Sequence, residues 1–387
     1  FIRQARSTRD LWSGSYLLSW LTAHAIKAVT DRVGPDAVMF PSLRSVPLYD
    51  ALHREEIFER ITYMGEGGSV STLWERMGLD AKELLTPSIP NRFLALVPEA
   101  EADDLAEAAV AAARDELKRI GDAVWPWIEK TAGEMDESPG ALSDWRQRWE
   151  SQIGQFLTSA WSVLPWEGGI EDAMQVFGNL PSGQAPVDQE GNRTPAGALG
   201  DLYRLATEGI PQSHRDQRFY VDKETRTRLN NRGFAWPAYY AATEFGLAAR
   251  RNTREFDVWL TDEKQAGAKK DSLSGKEEMI GTPEWWDHLK ENHGKLFKAR
   301  GHFLGAVNLV KRLWCRGSEV AYLRDRLGLG EKEFRKAVSP PSVVDIVGPG
   351  EPSSEDETGP DPYVAVIALD GDQMGKWISG ARTPPFR

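Results

Sequence analysis

Residues 363–369 read YVAVIAL, a run with no charged position and no alternation of apolar with polar side chains. A strand with one face in water alternates, so a near-continuous apolar run of this length belongs inside a sheet covered on both faces. Two shorter apolar segments also read as core strands: residues 37–40, stopped by Pro41, and residues 93–97, bracketed by Pro90 and Pro98. Between them lie helical stretches. Residues 2–29 are rich in Leu, Ala and Arg without proline, and Arg3, Arg6 and Arg9 follow at i, i+3 spacing on one face. Residues 102–134 are dense in Ala and Glu, and residues 143–153 continue in helix before a further strand expected at 156–164. Helix and strand thus alternate over the first 165 or so residues, an α+β pattern. From Gly168 onward the strands nearly vanish, and residues 170–177, 199–207, 237–251, 283–314 and 320–327 all read as helix. The expected organisation is a first α+β domain over 1–166, a mainly helical domain over 167–347, an acidic connector over 348–361 and a further sheet segment over 362–387.

Composition narrows the setting. Lys and Arg number 47 against 58 Asp and Glu, a formal charge of −11, which argues against nonspecific coating of nucleic acid and still permits a local basic groove. No stretch approaches the roughly 18 consecutive apolar residues of a membrane-spanning helix, so no membrane is expected. The single cysteine, Cys315, leaves neither an internal disulfide nor a thiolate cluster, and the expected setting is cytoplasmic. Cys315, His24 and His302 read as structural. The six histidines form no HExxH and no His-Asp pair. The chain begins at Phe1 with no leader in front of its first helix and stops at Arg387 in a loop, and we read it as a fragment cut at both ends.

The segment with the most chemical content follows the apolar strand. Asp370, Gly371 and Asp372 stand at its carboxyl end, with Gln373, Met374, Gly375 and Lys376 entering a helix. Two carboxylates two residues apart offer hard oxygen ligands to Mg²⁺, whose other positions are filled by substrate phosphates and water. The glycines let backbone N–H groups approach a triphosphate. Asp-Gly is equally at home as a turn after a core strand. A Walker-type loop is excluded, because Gly371 to Lys376 falls one residue short and Trp377 stands where Ser or Thr belongs.

Two segments, FIRQARSTRDLWSGSYLLSWLTAHAI at the start and YVAVIALDGDQMGKWISG near the end, resemble the large subunit of Cmr-type, type III-B CRISPR effector complexes. MFPSL (39–43) and PNRFLALVP (90–98) look like strands of that family's first palm. The resemblance implies a ferredoxin-like palm related to nucleotidyl cyclases, then a helical domain and the first strand of a second palm. It also implies an RNA-guided complex that, on pairing with target RNA, converts ATP into cyclic oligoadenylates with Mg²⁺ or Mn²⁺. The expected catalytic and metal-binding residues are Asp370 and Asp372, and by analogy with cyclases Asp372 with Gly375 is the preferred pair. A second carboxylate pair, in a Gly-Gly-Asp-Asp hairpin, is implied by the family, and no Gly-Gly-Asp occurs in these 387 residues. The His-Asp nuclease domain of many members is likewise missing from the sequence. The implied partners are guide crRNA, target RNA and other Cmr subunits, notably the one that holds the guide's 5′ tag. Two other readings stand beside this one: a non-catalytic scaffold, and an ordinary nucleotidyl cyclase.

KKDSLSGKEEMIG (269–281) resembles the family's zinc-knuckle segment, but Asp271 and Ser274 occupy two cysteine positions, and no zinc is expected there. Read without the resemblance, it is a Lys/Gly-rich loop. Ser13, Gly14 and Ser15, with Arg6 and Arg9, lie where the family's nucleotide pocket is expected, although helix packing explains small residues equally well. Arg215, Arg218, Arg226 and Arg228, interleaved with Phe219 and Tyr220, are candidate RNA-backbone contacts or simply solvated surface. Fifteen tryptophans, several closely spaced (125 and 127, 145 and 149, 285 and 286), serve as core or as anchors for neighbouring subunits.

Overall fold

The computed structural model describes residues 1–5, 7–165, 235–253, 269–294, 296–297 and 302–338. The chain divides into two compact units, Phe1–Ser159 with Val258–Val364, and Ala160–Asp257 with Ala365–Arg387.

The first unit is built on α1 (Thr8–Val33), which starts later than the helical composition from residue 2 suggests. The Gln4 N–H closes a turn onto the Phe1 carbonyl (3.0 Å), and Ser7, in extended conformation, accepts from the Asp10 N–H at 3.1 Å. That cap fixes the start, with Asp10 placed in the first turn where the helix dipole favours an acid. Gly34, at φ 90°, ends the helix by donating to the Thr30 carbonyl (2.8 Å). Three short helices follow: α2 (Pro47–Leu52), then, after a hairpin, α3 (Leu73–Met77) and α4 (Ala81–Leu84). The long α5 (Ala102–Gly133) lies along α1, and α6 (Pro139–Phe156) packs back on α5. At Gly121 of α5 a Cβ would stand 3.3 Å from Trp149 Nε1 of α6, so the missing side chain sets the spacing of this pair.

Strands are few. Val38–Phe40 (β1) pairs antiparallel with Leu94–Ala95 (β4), which realises both segments expected from the sequence. Thr62–Met64 (β2) and Val70–Thr72 (β3) form a hairpin that the sequence reading did not anticipate. Among the described residues these two-stranded pairs are the only sheets, so the fold is mostly helical with small sheets, in keeping with the α+β expectation. The strand expected at 156–164 is not formed. Phe156 closes α6, whose buried Trp145, Trp149 and Ile153 extend the helical face, and residues 157–165 carry no regular structure.

The second half of this unit also departs from the sequence reading. Residues 283–314 are not one helix but α8 (Pro283–Asn292) and α9 (Ala306–Leu313). The His293 N–H bonds the Leu289 carbonyl to finish α8, and Gly305, in extended conformation, opens α9. Short helices α10 (Tyr322–Leu327) and α11 (Glu331–Ala337) complete the unit. Nor do residues 269–338 form a domain apart from the first 166. Tyr16, Trp20, Val124 and Trp149 share one core with Trp285, Leu309 and Trp314, because α8 and α9 bury their apolar faces against α1, α5 and α6. Trp20, Trp149, Trp285 and Trp314 are each fully buried. At about 25 cal/mol/Å² each contributes roughly 4–6 kcal/mol of transfer free energy.

In the second unit the described residues are 160–165 and 235–253. They include α7 (Ala235–Asn252), close to the helix expected at 237–251, and the Arg250 guanidinium lies 5.8 Å from the Trp161 ring centroid. No described helix is long and apolar enough to cross a membrane.

Candidate functional site

The first turns of α1 meet α9 along a seam that is polar and almost closed to solvent. Arg312 of α9 forks onto Asp10 of α1, with Nη2 2.6 Å from Oδ2 and Nε 3.3 Å from Oδ1, both side chains under a tenth exposed. A bidentate guanidinium and carboxylate satisfy each other's strongest hydrogen-bonding groups, which is what makes a buried pair tolerable. One turn on, the Ser13 hydroxyl donates to the Lys311 carbonyl (2.5 Å) and accepts from Trp314 Nε1 (2.9 Å). Gly14 lets the Lys311 stem pass: a Cβ there would sit 3.0 Å from its Cδ. The Lys311 ammonium in turn donates to the Phe1 carbonyl (3.2 Å) and to the Gln4 carbonyl, and stands 4.6 Å from the Phe1 ring centroid. Burial pulls the Lys311 pKa down to about 8, against the pull of Asp10, while Arg312 lowers it further.

Of the three small residues expected near a nucleotide, Ser13 and Gly14 are therefore buried in this seam, and Ser15 is half-buried on the neighbouring face of α1. Positive charge concentrates beside them. Arg316, following α9, has its pKa lowered by burial and by the nearby guanidinium groups of Arg9 and Arg312. Cys315 is fully buried, and burial raises its thiol pKa.

Behind α9 the 269–281 segment folds as a tight hairpin around one carboxylate. Asp271, 1% exposed, accepts at Oδ1 from the Leu273 and Ser274 N–H groups (2.7 and 2.9 Å). Its Oδ2 accepts from the Gly305 N–H (2.7 Å) and from Asn308 Nδ2 (3.0 Å). The residue at a cysteine position of the resembled knuckle thus receives four N–H donors, two from its own turn and two from the start of α9. Ser274, at the other position, donates its hydroxyl to Glu277 and accepts from the Lys276 N–H at 3.1 Å. Gln152 of α6 completes the attachment, donating to the Glu278 carbonyl (2.8 Å) and accepting from the Ala306 N–H (2.6 Å).

A second buried polar centre, absent from the sequence reading, joins α1, α5 and α10. Glu116 is fully buried and accepts from Trp20 Nε1 (2.7 Å), the Tyr322 hydroxyl (2.7 Å) and Arg119 Nη1 (2.9 Å). Burial works to raise its pKa, and these donors together with His24 hold it below the ordinary glutamate value. His24 Nε2 lies 3.5 Å away, and burial lowers that imidazole to about 4, so it is neutral near pH 7.

Asp370, Gly371, Asp372 and Gly375 lie outside the described residues, as do Arg215, Arg218, Arg226 and Arg228.

Residues 1–122 match the sequence family described as CRISPR-associated protein Cmr2, N-terminal. The chain is similar to the CRISPR system Cmr subunit Cmr2 of Pyrococcus furiosus, 30% identical over 139 residues, which cover 36% of this chain and 13% of that protein. It is also similar to the CRISPR system CMR subunit Cmr2 of Saccharolobus solfataricus, 35% identical over 107 residues, covering 25% of this chain and 10% of that protein. The matched stretches are thus a small part of those relatives' length. Among solved structures, the chain is similar to one in the type III-B Cmr-beta cryo-EM structure of the apo state. That likeness has 17% identity and a TM-score of 0.41, over 90% of this chain and 34% of that one.

Proposed function

We propose, from the match of residues 1–122 to the Cmr2 N-terminal family and the partial likeness to two curated Cmr2 subunits, that the chain works in an RNA-guided type III-B effector complex and that the intact protein makes cyclic oligoadenylates from ATP. The observation that carries this reading is the N-terminal family match. In this reading Asp370 and Asp372 would serve as the carboxylate ligands for the metal on the ATP triphosphate, and Gly371 and Gly375 would offer backbone N–H groups to its oxygens. A ribose hydroxyl of one ATP attacks the α-phosphorus of the next, forming a phosphodiester as the α–β anhydride bond breaks and pyrophosphate leaves. Mg²⁺ or Mn²⁺ suits two hard carboxylates, and when bound it would lower the pKa of the attacking hydroxyl and balance charge on the leaving group. Arg215, Arg218, Arg226 and Arg228 are proposed to lie along an RNA backbone.

A second reading, a scaffold without ATP turnover, is favoured by one observation. Ser13 and Gly14 are spent on the α1–α9 seam, which leaves the Ser13 hydroxyl engaged by protein on both its donor and acceptor sides.

Both readings require assembly. Co-expressed with the companion Cmr subunits and a guide RNA, the chain should co-purify in fixed stoichiometry with the guide and with the subunit at its 5′ tag. Recovery of the chain alone, from a preparation in which the other subunits assemble around the guide, would remove it from the complex.

A further inference from the structure

Helix α5 ends against helix α8 at a point where three side chains from distant parts of the sequence converge. Glu134 follows the last residue of α5, His288 lies in α8 and His293 caps it, and one ligand atom from each falls within 4.8 Å of the others. His288 Nε2 is 2.9 Å and His293 Nε2 3.6 Å from the same carboxylate oxygen, Oε2 of Glu134. That oxygen takes a hydrogen bond from His288, whereas His293 Nε2 is buried with no hydrogen-bond partner. Two imidazole nitrogens facing one carboxylate oxygen, one of them orphaned, is an arrangement that a shared cation would complete.

The scaffold around these groups is rigid. Trp285, Trp286 and Leu289 bury the inner face of α8. Trp285 Nε1 reaches Thr131 Oγ1 (3.3 Å), one turn before Glu134, and so ties the two helices together beside the cluster. The His293 N–H donates to the Leu289 carbonyl (2.7 Å), and its ring meets Trp127 edge-on at 5.4 Å between centroids. The three side chains are partly exposed, at 35%, 20% and 25% for Glu134, His288 and His293, so an ion can enter from solvent.

The geometry suits a particular class of ion. Zn²⁺ bound at about 2.0–2.1 Å in a tetrahedron separates its ligand atoms by roughly 3.3 Å. The observed 2.9 and 3.6 Å bracket that value. Two imidazoles and one carboxylate are a borderline donor set, favoured by Zn²⁺ and its first-row neighbours over Mg²⁺ or Ca²⁺. A second convergence of His and carboxylates, Asp31, His53 and Glu56, lacks this opening, because the Lys27 ammonium already bridges Asp31 (2.7 Å) and Glu56 (2.8 Å). Among the described residues the ion pairs of Glu134 are with the two imidazoles alone.

We propose that Glu134, His288 and His293 form a binding site for a divalent transition metal of the zinc type, with a fourth position open to water, which pins the end of α5 to the end of α8. The site is separate from the 269–281 hairpin, whose Asp271 is occupied by N–H donors.

The test uses the full chain, freed of any purification tag and treated with chelator, titrated with Co²⁺ as the spectroscopic probe and then with Zn²⁺ as competitor. The expected result is one equivalent of Co²⁺ with visible bands of a low-coordinate site, displaced by Zn²⁺, and a Zn²⁺-dependent rise in Tm. His288→Ala and His293→Ala should each weaken binding at least tenfold and abolish the Tm rise, Glu134→Gln should weaken it less, and His53→Ala should leave it unchanged. Circular dichroism without metal identifies any variant that misfolds, and Glu134→Gln, the mildest change, still reads the site if an alanine variant does. Absence of a stoichiometric Co²⁺ band, or a band that survives the double histidine substitution, would reduce the cluster to an ion pair and overturn the proposal.

Discussion

His24 lies tilted against the Trp20 ring and faces a buried carboxylate, yet it is held neutral. Burial lowers its pKa from the ordinary 6.5 to about 4, because the low-polarity surroundings disfavour the imidazolium more than Glu116 favours it. Between those two values the unfolded chain takes up a proton that the folded chain refuses, so stability rises with pH across this window and is lost as pH falls through it. Glu116 acts in the same direction at lower pH, since its depressed folded pKa adds stability above the ordinary carboxylate range that disappears on acidification. His24 should therefore account for about 2 kcal/mol of the stability lost between pH 6.5 and 5. Urea unfolding at the two pH values measures it. His24→Phe, which keeps a ring against Trp20, should flatten that slope, leaving the smaller share of His53, whose pKa burial also lowers. An unchanged slope in the variant would contradict a neutral, buried His24.

The 269–281 hairpin shows an element organised by a single side chain. Asp271 carries the hydrogen bonds of its own turn and anchors the hairpin to the start of α9. Asp271→Asn keeps the shape but turns an acceptor into a donor facing the Gly305 N–H or the Asn308 amide, and should cost about 2–4 kcal/mol. Hydrogen exchange checks it: the Leu273, Ser274 and Gly305 amides should lose protection together, and full protection in the variant would refute the assignment. The sequence made this turn legible only through its resemblance to a knuckle, which identified the position of Asp271 but not its hydrogen bonds. The long helices were legible for simpler reasons. α1 and α5 have sustained apolar periodicity and few breakers, and the one internal proline of α5, Pro126, does not end it. Local pattern failed where packing decided: at 156–164, where α6 prolongs its buried face to Phe156, and at 293–305, where a His cap and Gly305 split one helical composition into two helices.

Across the molecule, the sequence reading separated residues 1–166 from 167–347, whereas α8 and α9 share the core of α1, α5 and α6. Nothing in a linear pattern announces that Trp314 will meet Ser13, or that Glu134 will meet two histidines more than 150 residues later. Buried polar pairs of this kind, Glu116 with Tyr322 among them, become visible only once the chain is folded. The family resemblance, in contrast, was legible in the linear sequence, because the opening helix carries residues that also match the Cmr2 N-terminal family. The proposal that the intact protein is part of a target-activated cyclic oligoadenylate synthase is tested most directly in the assembled complex. Guide RNA, matched target RNA, ATP and Mg²⁺ are incubated with complexes carrying the unaltered protein, Asp370→Ala or Asp372→Ala, and the products are read by mass spectrometry. Cyclic oligoadenylates are expected from the unaltered complex, with a loss of at least a hundredfold in one or both variants. A complex that binds target RNA but yields no such product, or yields it equally in both variants, would contradict it.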